Sequence, residues 1–442
     1  MTTPQAVDQI ICARWIVPVE PANQVLERHC VVVRDGVIVD LLSIDRAREQ
    51  YSAKEFVDLS SHALIPGLVN LHTHAAMTLM RGLADDLPLM RWLNEHIWPA
   101  EAKHVSEQFV YDGTLIACAE MIKGGITCFN DMYLFPAAAA QAVLESGMRA
   151  ALGLICIEFP TRYATDAQDY LRKGLAVRDQ FRHEPTLSYA LAPHAPYTVS
   201  DRSFQQILVY ADELELPIHL HLHETEDEIR QSLEHFGVRP VERLHRLGLV
   251  RRNLVAVHAV HLDDSEIELL ALHGASAAHC PSSNLKLASG IAPVSRFLEA
   301  GLNTGLGTDG AASNNRLDLF EEMRLAALLA KASTGRADDV PAHTVLHMAT
   351  LGGARAMGLD DRVGSIAIGK AADLCAVDFA SIAMSPVYHP ISHLVYAAGR
   401  SDVSDVWVNG RRLLQQGSLT QQDEHQLRSK ASNWQTRIAE QS

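Results

Sequence analysis

Positive charge and long apolar runs are both scarce in this sequence. Its 38 lysines and arginines face 53 aspartates and glutamates, a net charge of −15, which argues against nucleic acid or an anionic membrane as a partner. No apolar run approaches the length of a membrane-spanning helix. The first residues show neither the basic region nor the apolar core of a secretion signal. We therefore expect no nucleic-acid or membrane partner.

Cysteines are few and carry no pairing pattern. The seven are scattered, odd in number and never spaced as Cys-x-x-Cys. This usage is typical of reduced thiols rather than of a disulfide framework or a cysteine metal site. We expect reduced, buried cysteines in a cytoplasmic protein. A homodimer or a larger homo-oligomer is a further possibility.

The middle of the chain alternates short β-rich runs with helical stretches. A helix is predicted over 203–215 and another over 264–273, where Asp263 and Glu266 have the spacing of a capping box. Eight strand–helix repeats over about 300 residues are the count of an α/β protein with a (β/α)8 TIM barrel. The strand candidates are residues 64–72, 126–131, 149–155, 187–194, 217–224, 254–260, 275–280 and 303–309.

Two further β-rich segments flank this region, one at each end of the chain. Asp35-Gly36 and Asn409-Gly410 mark hairpin-type turns within them. The two segments can pair into one small sheet domain. We predict a β-sandwich domain from residues 1–61 and 364–418, a barrel over 62–363 and a C-terminal helix over 419–442.

Histidine and aspartate recur at the carboxyl ends of the barrel strands, where TIM barrels hold their catalytic groups. Residues two apart on a strand point the same way, so His72 and His74 present both imidazoles to one point. One such pair means little, since 22 histidines in 442 residues give about one by chance. The ordered series carries the argument: it comprises His72, His74, His194, His219, His221, His223, His258, His261 and Asp309.

Three imidazoles and a carboxylate can hold one divalent metal and leave a position open to water. On the fifth strand, His219, His221 and His223 are expected to share one face, so spacing does not decide which of them binds. Asp309, which precedes Gly310, has an alternative role as a turn former.

Several segments resemble the amidohydrolase superfamily. They are residues 66–75, with Leu-His-Thr-His-Ala, residues 305–315, with Gly-Thr-Asp-Gly, and residues 364–374. More narrowly, the chain is similar over residues 8–415 to the branch of 5′-methylthioadenosine/S-adenosylhomocysteine deaminases and triazine hydrolases. Residues 72–87, 281–293 and 308–315 carry the motifs specific to that branch.

The resemblance implies roles for individual residues. On the fifth strand it selects His221 as the ligand. His258 would handle the proton of the reacting water together with Asp309, Glu224 would be the acid beside the purine ring, and Glu101 would hold the ribose diol. The implied metal ligands are His72, His74, His221 and Asp309. The candidate substrate contacts are Glu101, His194, Glu224, Asp309, Trp92 and Arg162.

The expected number of metals follows from one position at which this chain departs from the pattern of the superfamily. Two-metal members of the superfamily usually place a carbamylated lysine at the tip of the fourth strand. Here that tip is Leu191-Ala-Pro-His-Ala-Pro196, and no lysine lies between Lys173 and Lys286. We expect one divalent metal per chain, with Zn²⁺ preferred and Fe²⁺, Mn²⁺ and Co²⁺ as alternatives for mixed nitrogen and oxygen ligands.

The resemblance implies a metal-dependent hydrolase that deaminates adenosine derivatives by attack of activated water on purine C6. Members that accept S-adenosylhomocysteine carry an arginine after the third strand. Residues 151–157 have none, and Arg162 follows later, either as a substitute or as a solvated loop residue. We therefore expect 5′-methylthioadenosine to be preferred, with 5′-methylthioinosine and ammonia as products. The alternatives are another heterocycle (guanine, cytosine or a triazine) and a catalytically silent metal-binding protein.

Overall fold

The computed structural model describes residues 4–440 of the chain, which are arranged around two eight-stranded sheets. One sheet is parallel and the other is mixed. The strands are β1 Gln5–Ile16, β2 Leu26–Arg34, β3 Val37–Ser43, β4 Tyr51–Pro66, β5 Leu68–Thr73, β6 Ile126–Tyr133, β7 Arg149–Cys156, β8 Leu187–Pro193, β9 Ile218–Leu222, β10 Leu254–His258, β11 Ser276–His279, β12 Asn303–Leu306, β13 Leu374–Asp378, β14 Val403–Val408, β15 Arg411–Gln415 and β16 Ser418–Leu419.

Helices cover the parallel sheet, and the last element of the chain is also a helix. The α-helices are α1 Ile44–Gln50, α2 Leu89–Trp92, α3 Trp98–His104, α4 Glu107–Lys123, α5 Pro136–Ser146, α6 Ala167–Gln180, α7 Asp201–Leu214, α8 Glu226–Phe236, α9 Pro240–Leu247, α10 Asp264–Leu272, α11 Pro281–Lys286, α12 Val294–Glu299, α13 Leu319–Thr334, α14 Ala342–His347, α15 Gly353–Ala356, α16 Pro390–Tyr396 and α17 Glu424–Ala439. Shorter 3-10 or π-helical segments lie at Ala75–Met80, Leu93–Ile97, Met348–Gly352, Ile382–Met384 and Arg400–Asp402.

Strands β5 to β12 form the parallel sheet in sequential order. Its two outer strands come together, because the amide of Thr308 donates to Asn70 Oδ1 (2.9 Å) and that of Asp309 to the carbonyl of His72 (3.0 Å). All eight expected strands are present, and the expected TIM barrel is confirmed. The carboxyl ends of its strands therefore lie around one rim.

The first expected strand, residues 64–72, is divided between the two sheets. Residues up to Pro66 belong to β4 of the mixed sheet, and β5 begins at Leu68. Between them, Gly67 packs so closely that a Cβ there would lie 2.1 Å from Thr127 Oγ1. The chain passes from one sheet to the other at this glycine because only the smallest residue fits against the neighbouring strand.

Strands from both chain ends make up the mixed sheet, in the order β16-β15-β14-β13-β4-β1-β2-β3. The expected turns lie at Asp35-Gly36, between β2 and β3, and at Asn409-Gly410, between β14 and β15. A buried ion pair joins this sheet to the barrel, since Arg149 Nε of β7 lies 2.9 Å from Asp373 Oδ2 beside β13.

The expectation that all cysteines are reduced is wrong for two of them. Cys12 and Cys30 form a disulfide bond. They stand directly opposite each other in the antiparallel pairing of β1 with β2, a register that the spacing of the cysteines in the sequence does not reveal. The other five cysteines are free and buried.

The predicted helices are also found. Residues 203–215 lie largely in α7, and residues 264–273 in α10, which begins with the capping box of Asp263 and Glu266. The terminal segment contains α17. Across residues 4–440, no helix is both long enough and apolar enough to cross a membrane.

Candidate active site

Histidine and aspartate side chains converge at the carboxyl ends of β5, β9 and β12. Nε2 of His72 and Nε2 of His74 each lie 3.3 Å from Asp309 Oδ1. Nε2 of His221 lies 3.3 Å from Nε2 of His72. The four side chains that the resemblance implies as ligands thus fall into two groups that share His72, one with His74 and Asp309 and one with His221 and His258. Three nitrogen or oxygen donors that lie this close can hold a metal ion.

The remaining imidazole nitrogens are anchored away from this point. Nδ1 of His74 donates to the carbonyl of Met132 (2.5 Å), and Nδ1 of His221 donates to the carbonyl of His194 (2.7 Å). A carbonyl oxygen only accepts, so each Nδ1 carries the hydrogen and each Nε2 presents a lone pair. Two of the ligand candidates, His74 and His221, therefore have the tautomer that a metal ligand needs.

Burial favours the neutral form of two histidines of this cluster, His72 and His221. It lowers the pKa of His72 to about 3 and that of His221 well below the ordinary value. Although burial by itself favours a protonated carboxyl, the hydrogen bond with His72 and the charges of nearby imidazoles hold the pKa of Asp309 well below its usual range. Neutral nitrogens around a carboxylate are the chemistry that a divalent cation prefers, so the residues fit a metal.

Asp309 takes its place through the backbone that follows β12. Its φ of +59° lies in the left-handed region, and the amide of Gly310 donates to its Oδ1 (2.7 Å). Ser283 Oγ (2.6 Å) and Ser313 Oγ (2.7 Å) both donate to Oδ2. The aspartate is therefore more than a turn former, because its carboxylate is oriented by three donors and faces two histidines.

Glu224 and His258 lie beside the metal-ligand candidates. Oε2 of Glu224 is 3.8 Å from Nε2 of His258, and Ser289 Oγ is 3.4 Å from Oε1 of Glu224. Burial raises the pKa of Glu224 above its ordinary value. Nδ1 of His258 is hydrogen-bonded to Oδ1 of Asn284 (2.8 Å), which leaves Nε2 of His258 as the acceptor. A carboxyl group with a raised pKa thus stands beside an imidazole nitrogen that can accept a hydrogen bond.

These groups open into one cavity of about 490 Å³. Tyr133 OH donates to Glu101 Oε1 (2.7 Å), and burial raises the pKa of Glu101. Nδ1 of His194 is hydrogen-bonded to Thr198 Oγ1 (3.0 Å). Every residue expected at the site, apart from His72, which is buried beneath the others, lines the cavity; these are His74, Trp92, Glu101, Arg162, His194, His221, Glu224, His258 and Asp309.

Apolar side chains make up much of the cavity wall, among them Trp98, Ile155, Ile157 and Phe159. Among the described residues that line it, Arg162 is the only lysine or arginine. This arginine is exposed, and its Nη1 donates to the carbonyl of Lys103 (2.7 Å). Arg162 therefore stands at the cavity with one of its donors already occupied.

The expectation that His219, His221 and His223 share one face is wrong for His223. Strand β9 ends at Leu222, and a φ of +55° turns His223 out of the strand alternation. Its ring accepts from the amide of Val241 (3.3 Å) outside the cavity. His219 lies behind the site, with Nε2 hydrogen-bonded to Nδ1 of His72 (3.0 Å). Only His221 reaches the cavity.

Several residues that serve the site were not singled out from the sequence. Their shared trait is that each fixes a predicted residue by a hydrogen bond. Most of them lie in the branch-specific motifs at 281–293 and 308–315, and these motifs were the available signal. The residues are Tyr133, Ser283, Asn284, Ser289 and Ser313.

The model of the amidohydrolase family matches residues 63–413. The chain belongs to the amidohydrolase family. Across 99% of its length it is 47% identical to a 5-methylthioadenosine/S-adenosylhomocysteine deaminase of Saccharophagus degradans, of which 98% is covered. It is 43% identical to the enzyme of the same name from Teredinibacter turnerae, with 99% of each chain covered.

Solved structures agree with this family. The crystal structure of an adenosine deaminase from Xanthomonas campestris with bound zinc is similar at a TM-score of 0.98 and 48% identity, covering 99% of this chain and all (100%) of that one. A variant of an atrazine chlorohydrolase of Arthrobacter aurescens TC1 has the same fold, with a TM-score of 0.90 at 22% identity, covering 96% of this chain and 99% of that one.

Proposed function

We propose that this amidohydrolase is a hydrolytic deaminase of adenosine derivatives, with 5′-methylthioadenosine as the preferred substrate and 5′-methylthioinosine and ammonia as products. The observation that carries the proposal is one cavity holding Glu224 and His258 beside the metal-ligand candidates together with Glu101, a carboxylate suited to a diol. The names of the relatives from Saccharophagus degradans and Teredinibacter turnerae support the same substrate class.

One divalent metal would be held by His72, His74, His221 and Asp309, and we propose Zn²⁺, with Fe²⁺, Mn²⁺ and Co²⁺ as alternatives. The zinc in the structure from Xanthomonas campestris supports this choice. Such a metal supplies Lewis acidity that lowers the pKa of water to about 7. No lysine lines the cavity among the described residues, which favours one metal over a pair bridged by a carbamate.

Glu224 is the proposed acid. Because burial raises its pKa, the carboxyl can hold a proton that it donates to purine N1, which makes C6 more electrophilic. His258 Nε2 and Asp309 accept a proton from the attacking water. When the bond from C6 to the amine breaks, one water proton leaves with ammonia, the other restores Glu224, and N1 keeps the proton that it received.

Substrate selection is proposed to fall to the other lining residues. Glu101 would accept hydrogen bonds from the ribose hydroxyls, since Tyr133 occupies only part of the capacity of its carboxylate. His194 and Trp92 would contact the nucleoside. The apolar wall suits a methylthio group, whereas an amino-acid carboxylate would find only Arg162 as a cationic partner. These features favour 5′-methylthioadenosine over S-adenosylhomocysteine.

One screen tests the proposal. Ammonia release is measured with the purified metal-loaded enzyme on 5′-methylthioadenosine, S-adenosylhomocysteine, adenosine, guanine and cytosine, and chloride release on a chlorotriazine. The highest kcat/KM is expected for 5′-methylthioadenosine. Preference for a free base or a triazine would show that the enzyme acts on another substrate class of the family. Metal binding without turnover of any substrate would indicate a catalytically silent protein.

A further inference from the structure

The chain segment that follows β9 carries the proposed acid and lies outside regular structure. Strand β9 ends at Leu222 and α8 begins at Glu226. At His223 the backbone has a φ of +55°, a conformation that non-glycine residues rarely adopt. The amides of His223 and Glu224 therefore leave the strand ladder and need acceptors elsewhere.

Glu228, in the first turn of α8, accepts from both amides. Its Oε1 lies 2.9 Å from N of His223, and its Oε2 lies 3.0 Å from N of Glu224. The carboxylate is buried, with an exposed fraction of 4%. Two hydrogen bonds to one side chain of α8 thus hold two successive peptide groups.

This arrangement differs from the ordinary capping box, which the protein uses at α10. There Glu266, the third residue of the helix, reaches back to the amide of the cap residue Asp263 (3.0 Å). In α8 the residue in the same position, Glu228, reaches past the cap residue Thr225 to the two residues before it. The glutamate of α8 therefore binds the active-site segment instead of its own cap.

The side chain of Glu224 has few contacts of its own to fix it. Ser289 Oγ is 3.4 Å from its Oε1, and His258 Nε2 is 3.8 Å from its Oε2. Its direction into the cavity is then set largely by the backbone from which it projects. We propose that Glu228 is a positioning residue, whose carboxylate orients the peptide of Glu224 and so aims the acid at the substrate. This inference rests on the proposed role of Glu224.

Burial is consistent with a carboxyl placed here for its geometry. It raises the pKa of Glu228 to about 8, against the opposing effect of the two amide donors. The neighbouring carboxyls of Glu224 and Glu266 raise it further. A carboxyl on the solvent-exposed face of α8 would not have its pKa raised by burial, but it would not reach the two amides.

The variant Glu228→Gln tests the proposal with little change of shape. Glutamine has one oxygen and one amino group, so one of the two amides then faces a donor. We expect kcat per bound metal to fall about 100-fold, the scale of a displacement of about 1 Å at a reacting group, while KM and metal content change little. Amide hydrogen exchange of residues 223 and 224, followed by mass spectrometry, should become faster.

Asp112→Asn is the matched control. Asp112 is also a buried carboxylate, but its partners are Lys430 and Trp434 of α17, away from the cavity. This variant should lower the thermal midpoint and leave kcat per bound metal unchanged. An unchanged kcat per bound metal in Glu228→Gln, with the exchange accelerated, would show that Glu228 serves stability alone and would overturn the proposal.

Two further readouts separate this inference from the proposed function. Hydrogen exchange of the unmodified protein needs no substrate and no variant. Unprotected amides at residues 223 and 224 would contradict the hydrogen bonds to Glu228, and so overturn the proposal, even if Glu228→Gln did not fold. Conversely, protected amides could be found together with a Glu224→Gln variant that retains full turnover of the best substrate found. In that case the proposed role of Glu224 is wrong, whereas the hydrogen bonds from the two amides to Glu228 are confirmed.

Discussion

At the scale of single residues, the proposed chemistry depends on carboxyl groups whose pKa is raised by burial. Glu224 and Glu101 both line the cavity, and burial raises the pKa of each. They differ in their neighbours, since Glu101 accepts from Tyr133 OH, whereas Glu224 faces His258. The two glutamates are therefore suited to different tasks, a hydroxyl acceptor and a proton donor.

Replacing Glu224 by glutamine should abolish most turnover while the metal stays bound. Glutamine keeps the shape of the side chain but has no acidic proton for the purine ring, and an acid–base group is typically worth about 10²–10⁴ in rate. The measurement is kcat with 5′-methylthioadenosine together with metal content by elemental analysis. Near-normal turnover at neutral pH would move the proton path to His258.

Replacing Glu101 by glutamine should weaken the discrimination, in kcat/KM, between substrates with and without the ribose 2′-hydroxyl. A hydrogen bond to a charged acceptor is worth about 1.5–3 kcal/mol, or about 10- to 100-fold in kcat/KM. The test compares 5′-methylthioadenosine with its 2′-deoxy analogue in both proteins. The unmodified enzyme should reject the deoxy compound, and the variant should lose most of that preference. Equal discrimination in both would show that Glu101 does not contact the sugar.

At the scale of elements, the terminal helix α17 is bound to the barrel by a small set of contacts on α4. Trp434 is buried, its Nε1 donates to Asp112 Oδ2 (3.0 Å), and its ring lies edge-on to Phe109 with centroids 5.1 Å apart. Neither Trp434 nor Asp112 lines the cavity. The helix therefore contributes to stability rather than to the site.

Trp434→Ala should destabilise the protein without changing the chemistry. Truncating a buried aromatic side chain costs about 3–5 kcal/mol, and the carboxylate of Asp112 loses a donor as well. The free energy of unfolding by denaturant is the measurement, and kcat per bound metal should stay unchanged. Trp434→Phe serves as the control, since it keeps most of the packing and removes only the hydrogen bond. A loss of kcat in proportion to stability would instead connect α17 to the site.

At the scale of the whole molecule, the site joins distant parts of the barrel. The proposed ligands come from the first, fifth and last strands, β5, β9 and β12 or the turn after it. A ligand that binds only the folded state stabilises it, by about 4 kcal/mol at a thousand times its dissociation constant. The division into domains, the cytoplasmic location and the oligomeric state stay predictions.

Removal of the metal should therefore lower the thermal midpoint as well as abolish turnover. Elemental analysis should find one equivalent per chain, and a chelator should reduce both readouts, with recovery on adding Zn²⁺. His74→Ala should bind metal poorly because it lacks one imidazole of the set. Two equivalents with a bridging ligand would contradict the single site, and an unchanged midpoint after chelation would place the metal elsewhere.

Acid should destabilise the fold through histidines that are buried in the neutral form. Burial lowers the pKa of His279 to about 3 from an ordinary value of 6.5. Its stabilising contribution is complete above pH 6.5 and is lost progressively as the pH falls towards 3, since the unfolded chain binds the proton first. Between pH 6.5 and 5.5 this loss amounts to about 1 kcal/mol. The unfolding free energy of His279→Gln should depend less on pH over that range; an equal slope in both proteins would exclude His279 as a source.

The order of the barrel strands and most of the site could be read from the sequence. Short apolar runs that end in histidine or aspartate specify both a buried strand and the polar group at its tip, because alternation and strand length are local properties. His72, His74, His221 and Asp309 were identified in this way together with the resemblance. The structure groups His72 with His74 and Asp309 and also with His221, and their role as metal ligands stays a prediction. A capping box such as that of α10 is equally local, and it was predicted.

Contacts between segments far apart in the chain were decided only by the tertiary structure. The disulfide of Cys12 and Cys30 depends on the register of two strands, and the turning away of His223 depends on where β9 ends. The hydrogen bonds from His258 to Asn284 and from Tyr133 to Glu101 join residues separated by 26 and 32 positions. Sequence periodicity specifies which face a residue occupies within its own element. Which partner meets it there is set by the packing of the whole barrel, and that packing selects the residues that hold the catalytic groups in place.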